Sequence, residues 1–310
     1  MKIAVVGPGA VGCLLAARFQ AAGADVFLVD YRPERAAWLT RQGIRLQTLE
    51  GKHLVVPVPA GLAPGAGPRD LVVLAVKAHQ TAAAAPSLKL LLAPGGIALT
   101  VQNGLGNLEA MAREIGPQRL LAGVGFLGVT RTGEGSVIHT GSGAFLIGAP
   151  PGSQVSAQET AAVAAVFRRA GLKCEVREDI EAALWEKLLV NVAINPLTAI
   201  LRVPNGALPD LPEAWELAKA AAVEARAVAR AAGVVVAGDP EALVRRVCTA
   251  TATNRSSMLQ DVLAGRPTEI EALNAQVVSR GEALKVPTPV NHFLTQLVRS
   301  LAQSALHRIG

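Results

Sequence analysis

Aromatic residues are scarce in this chain. One tyrosine, three tryptophans and six phenylalanines make up 3% of 310 residues. The net charge is +6, yet no dense lysine or arginine tract accompanies it. Proteins that bind single strands stack bases on aromatic side chains, and duplex binders concentrate basic residues on one face. With neither feature present, no nucleic-acid partner is expected. A solvated basic surface or a small anionic ligand accounts for the charge. Cysteine is equally sparse. Cys13, Cys174 and Cys248 lie far apart, odd in number and without a CxxC pair. This argues against a disulfide framework and a cysteine-rich metal site. The five histidines are scattered with no HExxH pairing, so no metal is expected. Such thiol usage suits a reducing compartment, and a cytoplasmic location is the expectation. No run reaches the roughly 18 uninterrupted apolar residues of a membrane-spanning helix, so no membrane partner is expected. Half the residues are nevertheless apolar and only 17% are charged, which opposes disorder. The length is enough for two domains with cores of their own.

What is present starts at once, with KIAVVGPGAVGCLLAARF over residues 2–19. A secretion signal needs a smooth apolar core. Here the run is broken by Gly7, Pro8, Gly9 and Gly12. The glycines are spaced G-x-G-x-x-G, after a strand-like run and before a helix-like one. This is the context the dinucleotide fingerprint requires. The first glycine serves the tight turn, the second the approach of a pyrophosphate, and the third the packing of helix on strand. Gly7, Pro8, Gly9, Ala10, Val11 and Gly12 are therefore candidate cofactor-binding residues, with N–H groups at the helix start to attract phosphate. The next apolar run, ADVFLVD, ends in Asp30, placed to accept from an adenosine ribose. Arg32 follows, placed to meet a 2′-phosphate instead.

Further strand patterns occupy 44–60 (a hairpin), 70–78 and 95–106. Those at 119–130, 135–141 and 144–150 complete one sheet with antiparallel character, and a last strand falls at 173–178. Alanine-rich helices near 81–92, 107–114 and 157–170 alternate with them. From Asp179 strand signals nearly vanish. Helical periods cover 179–203, 211–232, 239–264 and 267–284. The expected fold is an α/β N-terminal Rossmann-like domain, residues 1–177, followed by an all-α C-terminal domain, residues 178–310.

Four clusters carry candidate chemistry. Lys77 follows a strand, where open α/β sheets bind ligands; an ordinary loop lysine is the plain alternative. Asn103 ends another strand, although Asn-Gly is also a common turn pair. Lys187, Asn191 and Asn195 recur every four residues and form one polar stripe on an otherwise apolar helix. That stripe either lines a site or faces solvent. Pro196 should kink or end the helix. Asn254 and Ser257, three apart, would share a helical face. Glu269 would sit in the first turn of the next helix, where an acid also suits the helix dipole.

The segments WEKLLVNVAINPLTAI, NRSSMLQDVLAGRPTEIE and VQNGLGN, together with GPGAVG, resemble those of the ketopantoate reductase (2-dehydropantoate 2-reductase) family over nearly the whole chain. The resemblance implies NADPH-dependent reduction of 2-dehydropantoate, a small 2-oxo acid, to (R)-pantoate in pantothenate and coenzyme A biosynthesis. It implies Lys187 as the catalytic lysine and Glu269 as the active-site glutamate. Asn191, Asn195, Asn254 and Ser257 match substrate-binding positions. Lys77, Asn103 and Glu269 match residues beside the cofactor, Asn103 also touching substrate. One departure is Asp30: a free carboxylate there would repel a 2′-phosphate, so NADH stays an alternative to NADPH. A related dehydrogenase of another 2-oxo or 3-hydroxy acid, and a non-catalytic NAD(P) sensor, are the competing functions. The apolar helical half suits either its own core or a homodimer contact.

Overall fold

The computed structural model describes residues 1–304. These fall into two compact units. The first comprises residues 1–102 and 107–180, and the second residues 103–106 together with the chain from Glu181 onward.

The first unit carries twelve strands. They are β1 (Lys2–Val6), β2 (Asp25–Val29), β3 (Ile44–Gln47), β4 (His53–Val56), β5 (Ala60–Gly61) and β6 (Arg69–Leu74), then β7 (Leu92–Thr100), β8 (Leu120–Gly125), β9 (Gly128–Gly133), β10 (Ser136–Gly141), β11 (Phe145–Gly148) and β12 (Cys174–Val176). Its helices are α1 (Ala10–Ala21), α2 (Pro33–Gln42), α3 (Ala63–Ala66), α4 (Thr81–Ala84), α5 (Leu88–Leu91), α6 (Asn107–Ile115) and α7 (Ala157–Arg169). Eight strands form one sheet in the order β12-β11-β8-β7-β6-β1-β2-β5. β1 lies parallel between β2 and β6, with Ala4 opposite Phe27 on one side and Val72 on the other. Both faces of β1 are covered, which is why it reads as an unbroken apolar run. Ile3 and Val5 pack with Leu14, Phe19 and Phe167 of α1 and α7. Ala4 and Val6 pack with Leu88, Leu91 and Met111 of α5 and α6 on the opposite face.

The expected single antiparallel extension is instead two sheets. β8 and β11 join the large sheet, antiparallel to each other. β9 and β10 join the β3–β4 hairpin in a separate sheet ordered β4-β3-β10-β9. The run at 119–130 breaks at Phe126 and Leu127, where the chain passes from one sheet to the other. An apolar run of strand length carries no mark of that transfer.

The second unit is helical: α8 (Ile180–Leu201, whose first residue closes the first unit), α9 (Pro212–Ala231), α10 (Pro240–Ala250), α11 (Ser257–Leu263), α12 (Asn274–Leu284) and α13 (Pro289–Gln303). α8 is long and apolar enough to cross a membrane by length and composition, but 61% of that window is buried within the protein. An apolar helix of this kind is a core helix when its neighbours cover it. Trp185, Leu188 and Val192 pack against α9, α11 and α12, while Ile194 and Leu197 pack against Trp215, Val244 and Leu294.

Three expectations about these helices are corrected. α8 runs through Pro196 to Leu201. The proline removes one N–H, but the Val192 carbonyl it would have met accepts instead from the Asn274 amide at 3.0 Å. The helix expected over 239–264 is broken at 251–256. There the backbone N–H groups of Asn205 and Gly206 donate to the carbonyls of Asn254 and Ala252, both at 3.0 Å. Glu269 precedes a short 3₁₀ turn, Ile270–Ala272, and is not on α12. The terminal helix α13, absent from the sequence reading, packs its Leu294 and Val298 into the two cores.

Candidate active site

The glycine loop follows β1 directly. Gly7 holds φ +103°, and a Cβ there would lie 2.6 Å from Val76 Cγ1. A Cβ on Gly12 would meet the Gly7 carbonyl at 1.9 Å, so helix and turn touch backbone to backbone. At Gly9 the nearest atom to a Cβ is 3.8 Å away, and the loop is open there. Gly9 caps α1 without a side chain. The first intrahelical bond runs from Cys13 N to Gly9 O, which leaves the N–H groups of Ala10, Val11 and Gly12 without intrahelical acceptors. Pro8 is buried beside them. An open cradle with free N–H donors fits a pyrophosphate.

Asp30 is not the free acceptor expected of it. Its carboxylate is 2% exposed and accepts from Nε and Nη2 of Arg35 and from the Arg32 backbone N–H. Glu134 lies 3.3 Å from Arg32, 3.4 Å from Arg35 and 2.9 Å from Arg131. Three guanidiniums thus surround two carboxylates. Arg35 was missed because a PERAAW helix start gives no cue that its third residue turns back onto the strand end. Tyr31 is 72% exposed beside this group, with the Arg35 guanidinium 5.6 Å from its ring centroid.

Lys77, partly buried, follows β6 on the edge that bears the glycine loop, since Ala75 N donates to Val6 O. Buried Gln102, unremarked in the sequence, holds this turn by donating to the Val76 carbonyl at 2.9 Å and to Thr81 Oγ1 at 2.7 Å.

In the second unit the structure brings Asn103, Lys187 and Glu269 together. Gly104, at φ +80°, would place a Cβ 2.2 Å from the Ala272 carbonyl, and Leu105 N donates to that same carbonyl at 3.0 Å. Only glycine permits this close docking. It sets Asn103 Nδ2 3.4 Å from Glu269 Oε2. Glu269 is 6% exposed. Burial pulls the Lys187 ammonium from 10.5 down to about 8, against the opposing field of the Glu269 carboxylate. Asn191, partly buried, and Asn195, buried, continue the stripe on α8. Thr198 extends it. Its hydroxyl donates to Ser256 Oγ at 2.7 Å, and Ser256, not Ser257, caps α11. Ser257, the first residue of α11, and Asn254, in the break before it, are both exposed, and Asn254 is not on a helix with Ser257. Asn205, a further missed residue, donates to Thr251 Oγ1 at 2.9 Å, while its buried Oδ1 has no hydrogen-bond partner.

An ammonium of lowered pKa set with an amide and a buried carboxylate can receive negative charge growing on a substrate oxygen. Comparison with known proteins identifies the family. A family model described as "Ketopantoate reductase PanE/ApbA" matches residues 3–152, and its C-terminal counterpart matches 179–302. The 2-dehydropantoate 2-reductase of Archaeoglobus fulgidus is 37% identical over 300 residues, 97% of each chain. The chain belongs to the ketopantoate reductase family. As a member of this family it is an oxidoreductase. The crystal structure of a PanE/ApbA family ketopantoate reductase from Ralstonia eutropha JMP134 superposes with a TM-score of 0.89, at 34% identity over 99% of this chain and 100% of that one. A D-mandelate dehydrogenase solved with NADH and anilino(oxo)acetate also shares the family fold. Its TM-score is 0.89, at 25% identity over 98% and 99% of the two chains.

Proposed function

We propose that the protein reduces 2-dehydropantoate to (R)-pantoate with NADPH, in the cytoplasmic synthesis of pantothenate and coenzyme A. The observation that carries this reading is the partly buried Lys187 ammonium, lowered to about 8 and set with Glu269 and Asn103. A nicotinamide dinucleotide, when bound, supplies the hydride. The Gly7–Gly12 loop holds its pyrophosphate through the N–H groups of Ala10, Val11 and Gly12, and Lys77 supports it from the same strand edge.

Lys187 donates a hydrogen bond to the ketone oxygen and passes its proton there as the carbon receives hydride, leaving a neutral amine and the new hydroxyl. Solvent returns the proton to the amine. Glu269, held by the Asn103 amide, accepts from the substrate hydroxyl and keeps the substrate aligned. Asn191 and Asn195 bind along α8, and Asn254 and Ser257 take the carboxylate end.

The arginine cluster supports NADPH over NADH. With the Asp30 carboxylate enclosed by Arg35, no free acid opposes a 2′-phosphate, and the cluster keeps a net positive charge available to Arg32. The test is oxidation of NADPH and of NADH with and without 2-dehydropantoate and 2-oxo-2-phenylacetate. Substrate-dependent oxidation fastest with 2-dehydropantoate and NADPH is expected. Preference for the aromatic oxo acid would overturn the substrate assignment, and preference for NADH the cofactor assignment.

A further inference from the structure

The carbonyl that Pro196 deprives of its helical donor leads into a buried amide chain. Asn274 Nδ2 donates to Val192 O and to Asn291 Oδ1, both at 3.0 Å. Asn291 Nδ2 donates to Ala221 O at 3.0 Å and to Glu224 Oε2 at 2.7 Å. Glu224 also accepts from the backbone N–H groups of Val290 and Asn291, both at 2.9 Å. Asn274 and Asn291 are fully buried. Each amide uses both its hydrogens on acceptors, so neither can be flipped without setting oxygen against oxygen.

The placement of this chain bears on the site. Val192 lies on α8 between Asn191 and Asn195. Asn274 opens α12 just after the turn that carries Glu269. The Asn274–Val192 bond spans 82 residues. Any residue other than proline at 196 could satisfy Val192 within the helix, and an apolar side chain at 274 could fill the same space. The pair Pro196 and Asn274 replaces a local bond by one that ties two functional segments together.

We infer that Asn274 is a positioning residue: by bonding the carbonyl that Pro196 frees, it fixes the Glu269 segment on α8 and so sets Glu269 against Lys187. The inference rests on the proposed reductase chemistry. Glu269 raises the Lys187 pKa against burial, so withdrawing the Glu269 segment while α8 keeps its core alters both influences and displaces that pKa.

The test compares the wild type, Asn274→Leu, and Asn274→Leu combined with Pro196→Ala, which returns an N–H to the orphaned carbonyl. Melting temperature, kcat, the alkaline limb of the pH–rate profile and NADPH affinity are measured for each. Asn274→Leu is expected to lower both the melting temperature and kcat, the latter about tenfold, with NADPH affinity within about twofold of wild type. The double variant is expected to regain the melting temperature while kcat stays low and the alkaline limb is displaced from that of the wild type. Recovery of kcat and of the wild-type limb along with stability would overturn the inference, reducing Asn274 to a structural part. Unchanged kcat in Asn274→Leu, or failure of the double variant to fold, would overturn it as well. A wild type that reduces no 2-oxo acid would instead defeat the functional reading and this inference with it, a result distinct from all the others.

Discussion

Raising the pH should switch the enzyme off well below the range of an ordinary lysine. The shift of Lys187 from 10.5 to about 8 amounts to roughly 3 kcal/mol at about 1.4 kcal/mol per unit. A group titrating at 8 is about 90% protonated at pH 7 and about 10% at pH 9. If the proton leaves from this ammonium, kcat for ketone reduction falls about tenfold between those values. An unperturbed lysine would lose only a few per cent over the same interval. The assay is the pH dependence of kcat with both substrates saturating, repeated with Lys187→Arg, whose guanidinium stays charged throughout and should abolish the limb. The same shift appears in stability with a definite sign. Between about pH 8 and 10.5 the unfolded chain holds a proton that the folded chain has released, so stability rises with pH across that window. A wild-type profile flat to pH 9.5, or an alkaline limb near 10, would refute the reasoning.

Three other perturbations follow from the same geometry. Glu269→Gln removes the charge that opposes burial, so the alkaline limb should move below 8; a limb that stays in place removes the Glu269 charge from the surroundings of Lys187. Gly104→Ala forces a Cβ against the Ala272 carbonyl at a positive φ; it should cost about 1–3 kcal/mol in chemical denaturation and lower kcat through the displaced Asn103. Asp30→Asn removes one of the two carboxylates from this cluster of three guanidiniums, so kcat/KM with NADPH should rise several-fold with little change for NADH. A selective loss with NADH would restore Asp30 to the ribose.

The parts legible in the sequence are those whose causes are local. Gly12 is required by a contact within one turn and helix and Gly7 by its own positive φ, and the β1 and β6 runs are apolar because both faces are covered. The Lys187–Asn191–Asn195 stripe needs only the helical period. What escaped depends on distant partners. Nothing near Asp30 shows that Arg35 turns back to enclose it. Pro196 reads as a kink or an end because the donor that replaces its N–H is 82 residues away. Asn103 and Glu269, 166 residues apart, meet only because Gly104 lets two backbones touch. The 251–256 break depends likewise on backbone bonds to Asn205 and Gly206 that no periodicity encodes.

The central claim is that the Lys187 ammonium protonates the nascent alkoxide, and Lys187→Ala tests it most directly. Turnover of 2-dehydropantoate and NADPH binding are measured on the same preparation. The account predicts a loss in kcat of about 10²–10⁴-fold, the usual weight of a general acid, with NADPH affinity within about twofold of wild type. A variant that binds NADPH normally and keeps kcat within tenfold of wild type would contradict it.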